Sequence, residues 1–412
     1  MTASVYLFAT LDTKGREAAF VRDLFTSWGV PVTLVDVGTF SASRGASDSP
    51  RQRIVPDIPR ERIFELAGTS ATAVEKADDR GEAVTKAAEG AARLAREAHA
   101  RGDLAGVLGL GGSAGTTIGT AAMKALPLGV PKVMVSTLAS GMVRQFVGDK
   151  DIFMLNAVVD IAGVNRVSRQ VLSQAARAMA GLITRPGPAP DSDDRPLVAA
   201  TMFGVTTPCV ERARETLERA GYEVLVFHAT GTGGQAMESL IGEGLIAGVL
   251  DITTTELADE HVGGFLSAGP DRLTAAGKAG IPQVVSTGAL DMANFYAPES
   301  VPAKFEGRIF YKHNPNVTLM RTTAEENATI GADIGRKLSR AKGPVAVLLP
   351  GRGVSAIDRE GQPFDDPVAR RMLHDAIRSG ARGVEVAELD LHVNDREFAD
   401  AAARKLIELM KG

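Results

Sequence analysis

At 412 residues the chain is longer than the roughly 250 to 300 residues at which single cores stop growing, so two domains are expected, each with an ample core. Its 44% hydrophobic and 23% charged residues exclude a disordered chain, and its net charge of -4 argues against the broad basic footprint that nucleic acid normally requires, leaving room for local basic sites. No apolar run approaches the ~20 residues of a membrane span, the single Cys209 excludes an intramolecular disulfide, and MTASVYLFAT lacks a basic signal region, so a cytoplasmic protein without nucleic-acid or membrane partners is expected.

The first predicted strand, VYLFAT, runs through LDTKG into a helix over GREAAFVRDLF, and VTLVDV follows as the second strand. Residues 41–68, SASRGASDSPRQRIVPDIPRERIFELAG, form an insertion whose length is unusual for an αβ connection and points to a function or to a flexible flap. AGVLGL leads into the glycine-rich GLGGSAGTT (109–117) and the helix IGTAAMKAL; KVMVST leads into STLASG; RVSRQVLSQAARAMAGLI closes the lobe. RPGPAPDSDDRP at 185–196 cannot continue a helix, which sets an N-terminal lobe at 1–186, a linker at 187–196 and a C-terminal lobe at 197–412. In the second lobe VAATMF, EVLVFH, AGVLDI, QVVST, VAVLLP and VEVAEL alternate with helical patterns, one of them around PVARRMLHDAIRSG. Continuous apolar strands separated by helices indicate parallel sheets covered on both faces. DLAGVLGL (103–110) resembles LIAGVLDI (245–252), and GVPKVMVST (129–137) resembles GIPQVVST (280–287). The expected fold is therefore α/β, two Rossmann-like parallel-sheet lobes related by duplication, with a cleft between them.

In open parallel sheets ligands sit beyond the carboxyl ends of the strands. GLGGSAGTT lacks the GxxxxGK[ST] of a P-loop and follows the third strand, not the first, so it is not the dinucleotide fingerprint either. Its glycines would let backbone N–H groups converge on an anion, the following helix adds a positive dipole end, and Ser113, Thr116 and Thr117 add hydroxyls. The alternative is a tight turn. Lys14 in LDTKG could neutralise phosphate in the same crevice and Asp12 could hold magnesium directly or through water, or else Asp12 or Thr13 caps the helix and Lys14 is solvated.

In the second lobe HATGTGG (228–234) follows the second strand, so its repeat counterpart is not GLGGSAGTT, whose place is taken by DITTTE. His228 is a candidate acid or base, with a structural hydrogen-bonding role as the alternative. Asp251 and Glu256 could bind metal or activate a nucleophile, or form an N-cap pattern, and Arg352 of LLPGRG could grip an anion. HNPNVTLMRTT (313–323) carries His313, Asn314, Asn316 and Arg321 in a segment poor in helix signals. Pro208 places Cys209 at a helix N-terminus, a position that lowers a thiol pKa and makes it a candidate nucleophile.

Together, FATLDTKGREAAF, LGLGGSAGTT, STLASG with VVDIAGVN, PCVERARETLERAGYEVLVFHATGTGGQAMESLI, DITTTELADE, GPDRLTAAGKAGIPQVVS and HNPNVTLMRTT resemble a bacterial and fungal family. That family shares the Tm-one-like ATP-binding domain of the plant tomato mosaic virus resistance protein, and the resemblance runs from about residue 4 to about 411. It implies ATP bound in the N-terminal lobe and a homodimer or higher homo-oligomer; the magnesium expected with ATP rests on Asp12. By motif match the nucleotide site would be carried by Thr10, Asp12, Lys14, Gly111, Gly112, Ser113, Gly115, Thr116 and the STLASG loop with Ser136, Thr137, Ser140 and Gly141. The expected function is an ATP-dependent enzyme acting on a small anionic metabolite, with His228, Asp251, Glu256 and Arg352 as candidate catalytic residues. A nucleotide-binding sensor or interaction module without chemistry is one alternative. An enzyme without ATP, whose glycine loops hold a phosphorylated substrate, is the other.

Overall fold

The computed structural model describes residues 3–39, 54–141, 143–185, 187 and 194–412. The first part of the insertion, residues 41–53, and most of the linker, residues 188–193, lie outside the described residues. The chain divides into two compact units, residues 1–190 and 191–412, each built on a parallel sheet.

In the first unit β1 (Ser4–Ala9), β2 (Val32–Asp36), β3 (Leu104–Gly111), β4 (Lys132–Ser136) and β5 (Phe153–Asn156) lie in the order β2-β1-β3-β4-β5. Successive strand residues feed opposite cores. Val5, Leu7 and Ala9, with Leu108, Leu110, Val133 and Val135, pack against the helices Leu11–Ser27 and Arg166–Thr184. Tyr6 and Phe8, with Val107 and Met134, pack under Arg80–Ala100 and Ser113–Lys124. A side-chain period of two buries both faces only when every position is apolar, which is why these strands read as unbroken apolar runs. The described end of the insertion adds the helix Arg60–Leu66. It lies directly on Arg80–Ala100 because a Cβ at Gly90 would stand 1.9 Å from the Ile63 carbonyl oxygen.

The second unit contains β6 (Leu197–Met202), β7 (Glu223–His228), β8 (Gly248–Thr253), β9 (Gln283–Gly288), β10 (Met292–Phe295), β11 (Phe310–Asn314), β12 (Val317–Arg321), β13 (Val345–Pro350) and β14 (Glu385–Leu389). Its main parallel sheet runs β14-β13-β9-β8-β6-β7, and β10-β12-β11 form a separate antiparallel sheet. The first four strands of both units share one order, second-first-third-fourth. All ten strands expected from the sequence are present, but β5 and the antiparallel strands are additions to that reading. β5 is four residues long and half-buried and β11 is largely exposed, so neither carries an apolar alternation that announces a strand; HNPNVTLMRTT supplies the end of β11, a turn and β12.

With this strand order the connections leave the first and third strands on opposite sides, and a crevice opens at their carboxyl ends. That point lies between β1 and β3 in the first unit and between β6 and β8 in the second. Among the described residues no helix is long and apolar enough to cross a membrane.

Candidate functional site

At the β1/β3 crevice three of the sequence motifs are neighbours. β1 delivers Thr10, the N-cap residue of Leu11–Ser27, whose carbonyl accepts the N–H groups of Thr13 at 3.1 Å and Lys14 at 2.7 Å. β3 delivers the glycine turn. A Cβ at Gly111 would stand 2.5 Å from Gly115 Cα, so only glycine lets the strand end close onto the next helix, and a Cβ at Gly115 would reach 3.9 Å from Thr10. β4 delivers Thr137, whose N–H donates to the Gly111 carbonyl at 3.3 Å. Its hydroxyl lies 3.6 Å from where a Gly112 Cβ would stand. Gly112 is the N-cap of Ser113–Lys124, and among the described residues no side chain caps that helix. Its first N–H groups therefore have no intrahelical acceptor and carry the positive end of the helix dipole.

The motif residues divide by what they touch. Ser113, Ser140 and Gly141 are exposed and Thr137 is half-buried. Thr116 and Ser136 are buried and share a 2.6 Å hydrogen bond, and Ser136 Oγ also accepts the Leu138 N–H at 2.9 Å. This pair ties the turn to β4 and presents no hydroxyl outward. Lys14 Nζ donates to the Ile161 carbonyl, and Glu17 accepts the Gly163 N–H at 2.5 Å, so the start of the helix clamps the VVDIAGVN segment. One ammonium N–H of Lys14 is used there, and three are available to that group.

Asp36, at the end of β2, is a residue the sequence reading missed; a carboxylate closing the apolar run VTLVDV was its only signal. Its Oδ1 accepts the N–H groups of Leu11 at 3.1 Å and Gly38 at 2.9 Å, fixing the loops after β1 and β2. Burial pushes its carboxyl up against those two donors, and the neighbouring Asp12 adds repulsion in the same direction. The Asp12 carboxyl lies 3.2 Å from where a Gly38 Cβ would stand. Among the described residues no group of three or more His, Cys, Asp or Glu could hold a metal. A magnesium ion at Asp12 would therefore need phosphate oxygens and waters for its other ligands, as magnesium commonly has beside nucleotides.

The second glycine loop is different, because protein fills it. Glu256 Oε1 accepts the N–H groups of Gly231 at 2.7 Å and Gly234 at 3.0 Å, and a Cβ at Gly234 would stand 2.1 Å from Oε2. HATGTGG is thus an anion cradle whose anion is internal. Glu256 Oε2 accepts Arg272 Nε at 2.7 Å, and Arg272 Nη1 and Nη2 pair with Asp251 at 2.6 and 2.7 Å. Thr201 Oγ1 donates to Asp251 as well, at 2.7 Å. The side chains of Arg272, Asp251 and Glu256 are at most 1% exposed. Burial works against the charge of Arg272, but Asp251, Glu256 and Glu238 more than offset it and hold the guanidinium well above its ordinary pKa. The β6/β8 crevice is closed by its own hydroxyls: Thr206 and Thr253 share a 2.7 Å hydrogen bond, and Thr201 Oγ1 accepts the Thr253 N–H at 3.0 Å.

The structure does not bring the four candidate catalytic residues together. Asp251 and Glu256 are locked around Arg272, which the sequence reading left unassigned. His228 is exposed and stacks on Phe203, with ring centroids 5.5 Å apart. Arg352 is exposed and forms a bidentate pair with Asp390 at 2.7 and 2.6 Å. His313, Asn314 and Asn316 are exposed on the β11–β12 hairpin, whereas Arg321 is buried and donates to the Phe364 carbonyl at 2.8 Å. Near it Ser355 donates to Asp291 at 2.8 Å, and burial, with repulsion from Asp358, pushes the Asp291 carboxyl up to about 7.

Cys209 requires a correction. It is buried in the core beneath Thr207–Arg219 and burial pushes its thiol up to about 12, which outweighs its place near a helix N-terminus. Native protein at pH 8 should react with a thiol reagent only at the rate of unfolding; fast stoichiometric labelling would overturn this placement.

The N-terminal domain of the Uncharacterised protein family (UPF0261) matches residues 3–187 and its C-terminal domain matches residues 195–410. A UPF0261 protein of Clostridium tetani is 47% identical over 416 residues, covering the whole of both chains. The ToMV resistance protein Tm-1(GCR237) of Solanum lycopersicum is 40% identical over 433 residues, covering 98% of this chain and 55% of the plant protein. The crystal structure of Acinetobacter baumannii MurG covers 99% of this chain and 100% of its own at 12% identity and a TM-score of 0.24, too low to bear on the fold. With both halves matched and relatives at these identities over nearly its whole length, the chain belongs to the UPF0261 family.

Proposed function

We propose that the first unit binds ATP through its phosphates at the β1/β3 crevice. The observation that carries this reading is the contrast between the two glycine loops: among the described residues no side chain caps the helix after Gly112, whereas the cradle at Gly231 and Gly234 already holds Glu256. The first-turn N–H groups of Ser113–Lys124 and the exposed Ser113 and Ser140 hydroxyls would hold phosphate oxygens, and Lys14 would neutralise charge. A magnesium ion at Asp12, beside Asp36, would supply further neutralisation. The likeness of these motifs to the Tm-one-like ATP-binding domain selects ATP among phosphate ligands. Because the candidate catalytic residues of the second unit do not converge, ATP is better read as a bound regulator than as a reactant, and the function as that of a nucleotide-binding sensor or interaction module.

Calorimetry with magnesium and ATP tests this. Binding of one ATP is expected, with adenosine much weaker because the phosphates carry the contacts; no heat at millimolar ATP would sink the reading. Lys14→Ala should weaken ATP about fivefold to tenfold, ~1 kcal/mol. Unchanged affinity would remove Lys14 from the site, and steady release of ADP would return the enzyme reading.

A further inference from the structure

A separate feature lies at the opposite edge of the second unit's main sheet. The short helix Ala275–Ala279 leads into the amino end of β9, and the helix Ala324–Leu338 leads into the amino end of β13. Where these helices end there is a cavity of about 190 Å³, lined by Lys278, Arg336, Lys337 and Arg340 together with Asp271. At ~30 Å³ per water this is room for about six waters, or a phosphate group with a few attached atoms. Its wall is built: a Cβ at Gly277 would stand 3.1 Å from Ala341, and the Lys342 N–H donates to the Gly277 carbonyl at 2.9 Å.

The charges in this cavity are not balanced. Lys337, its side chain 5% exposed, pairs with Asp333 at 2.8 Å, and Arg336 pairs with the same carboxylate, so one anion serves two cations. Lys278 is 3.5 Å from Asp271, but their side chains are 68% and 90% exposed, where such a pair contributes little. Arg340 is exposed and has no ion-pair partner among the described residues. Helix C-termini favour cations, which accounts for Arg336 and Lys337 in the last turn of Ala324–Leu338. It does not account for Arg340, which lies beyond that helix. Four cations against the carboxylates of Asp271 and Asp333 and the negative end of the Ala324–Leu338 dipole leave the cavity with a net positive charge.

We infer that this cavity binds a phosphate dianion, either inorganic phosphate or the phosphate of a small monoester. The guanidinium of Arg340 would present its fork to two oxygens, Lys278 would act as a point charge, and Lys337 would contribute from the wall. The position, at the sheet edge away from the strand carboxyl ends, makes it an effector site independent of the β1/β3 crevice.

The test is calorimetry of the full chain in a chloride buffer with inorganic phosphate and, separately, glycerol 3-phosphate. The proteins are the wild type, the double variant Lys278→Gln/Arg340→Gln and the first-unit variant Gly112→Asp. Both substituted cations are exposed, so the double variant should fold, which circular dichroism checks. Binding in the wild type, weakened at least about tenfold in the double variant and retained in Gly112→Asp, is expected. A tighter monoester would identify an ester ligand; equal or tighter phosphate would identify the free ion. Affinity unchanged in the double variant, loss in Gly112→Asp instead, or no binding of either probe at about 10 mM would each overturn the inference.

Discussion

Replacing Arg272 by methionine is expected to destabilise the second unit by about 3 to 5 kcal/mol. The guanidinium is the shared partner of Asp251 and Glu256, whose side chains are at most 1% exposed, and it also reaches Glu238 at 3.4 Å. Removing it leaves two enclosed carboxylates without their cation, and the cost of an unpaired buried charge exceeds any gain from a better-packed apolar side chain. Arg272→Lys should rescue little, because one ammonium cannot reproduce the bidentate pair with Asp251 and the separate bond to Glu256. The deficit should narrow as pH falls from 7 toward 5. Burial already pushes the Glu256 carboxyl up, and without Arg272 its folded-state pKa rises further above the unfolded value. The folded variant then binds more protons than the unfolded chain across that window and gains stability as pH is lowered. Urea unfolding of the wild type and the variant at both pH values measures this. Adding Asp251→Asn and Glu256→Gln to the methionine variant should recover part of the loss by removing the stranded charges. A single variant within 1 kcal/mol of wild type would show that the triad is not the electrostatic centre of this unit.

Gly112→Asp is expected to abolish ATP binding in the first unit, by at least about a hundredfold or ~3 kcal/mol, without loss of stability. The substitution gives the first glycine loop what Glu256 gives the second, an internal carboxylate at an uncapped helix N-terminus. Gly112 has φ -82° and ψ -150°, an extended conformation open to any residue, and among the described residues a Cβ there meets only Thr137 Oγ1 at 3.6 Å. Aspartate is a good N-cap and is favoured by the helix dipole, so stability should be unchanged or higher by about 0.3 to 1 kcal/mol. Against an incoming phosphate the same carboxylate occupies the N–H donors and adds like-charge repulsion. Calorimetry and thermal melting on one sample separate the two effects. Full ATP affinity in a stable variant would place the nucleotide elsewhere, while joint loss of affinity and stability would show only a damaged fold.

Several of these features were legible before any tertiary contact was known. The crevice of the first unit was readable because its parts, LDTKG after β1, GLGGSAGTT after β3 and STLASG after β4, are each a local strand end, and parallel sheets gather strand ends on one edge. Asp36 was not readable, because one carboxylate near the end of VTLVDV looks the same whether it caps a loop or faces solvent; the N–H groups of Leu11 and Gly38 decide. Asp251 and Glu256 looked like catalytic carboxylates because their spacing is visible and their cation is not. Arg272 sits 16 residues beyond Glu256, in GPDRLTAAGKAGIPQVVS, whose spacing shows no link to the two carboxylates. Cys209 was misplaced for a similar reason: the helix N-terminus is a local signal, and the core that raises its pKa is not.

The sequence by itself determined the alternation of apolar strands and helices, the repeated strand order and the division into two units, because backbone periodicity and burial of both sheet faces are written in neighbouring residues. Which glycine loop is filled by protein was decided only by tertiary structure. Both loops precede helix N-termini with donors to offer, and the difference is a glutamate that reaches Gly231 from 25 residues along the chain and Gly234 from 22. The occupant of an anion cradle comes from elsewhere in the chain, so the loop's own residues cannot specify it.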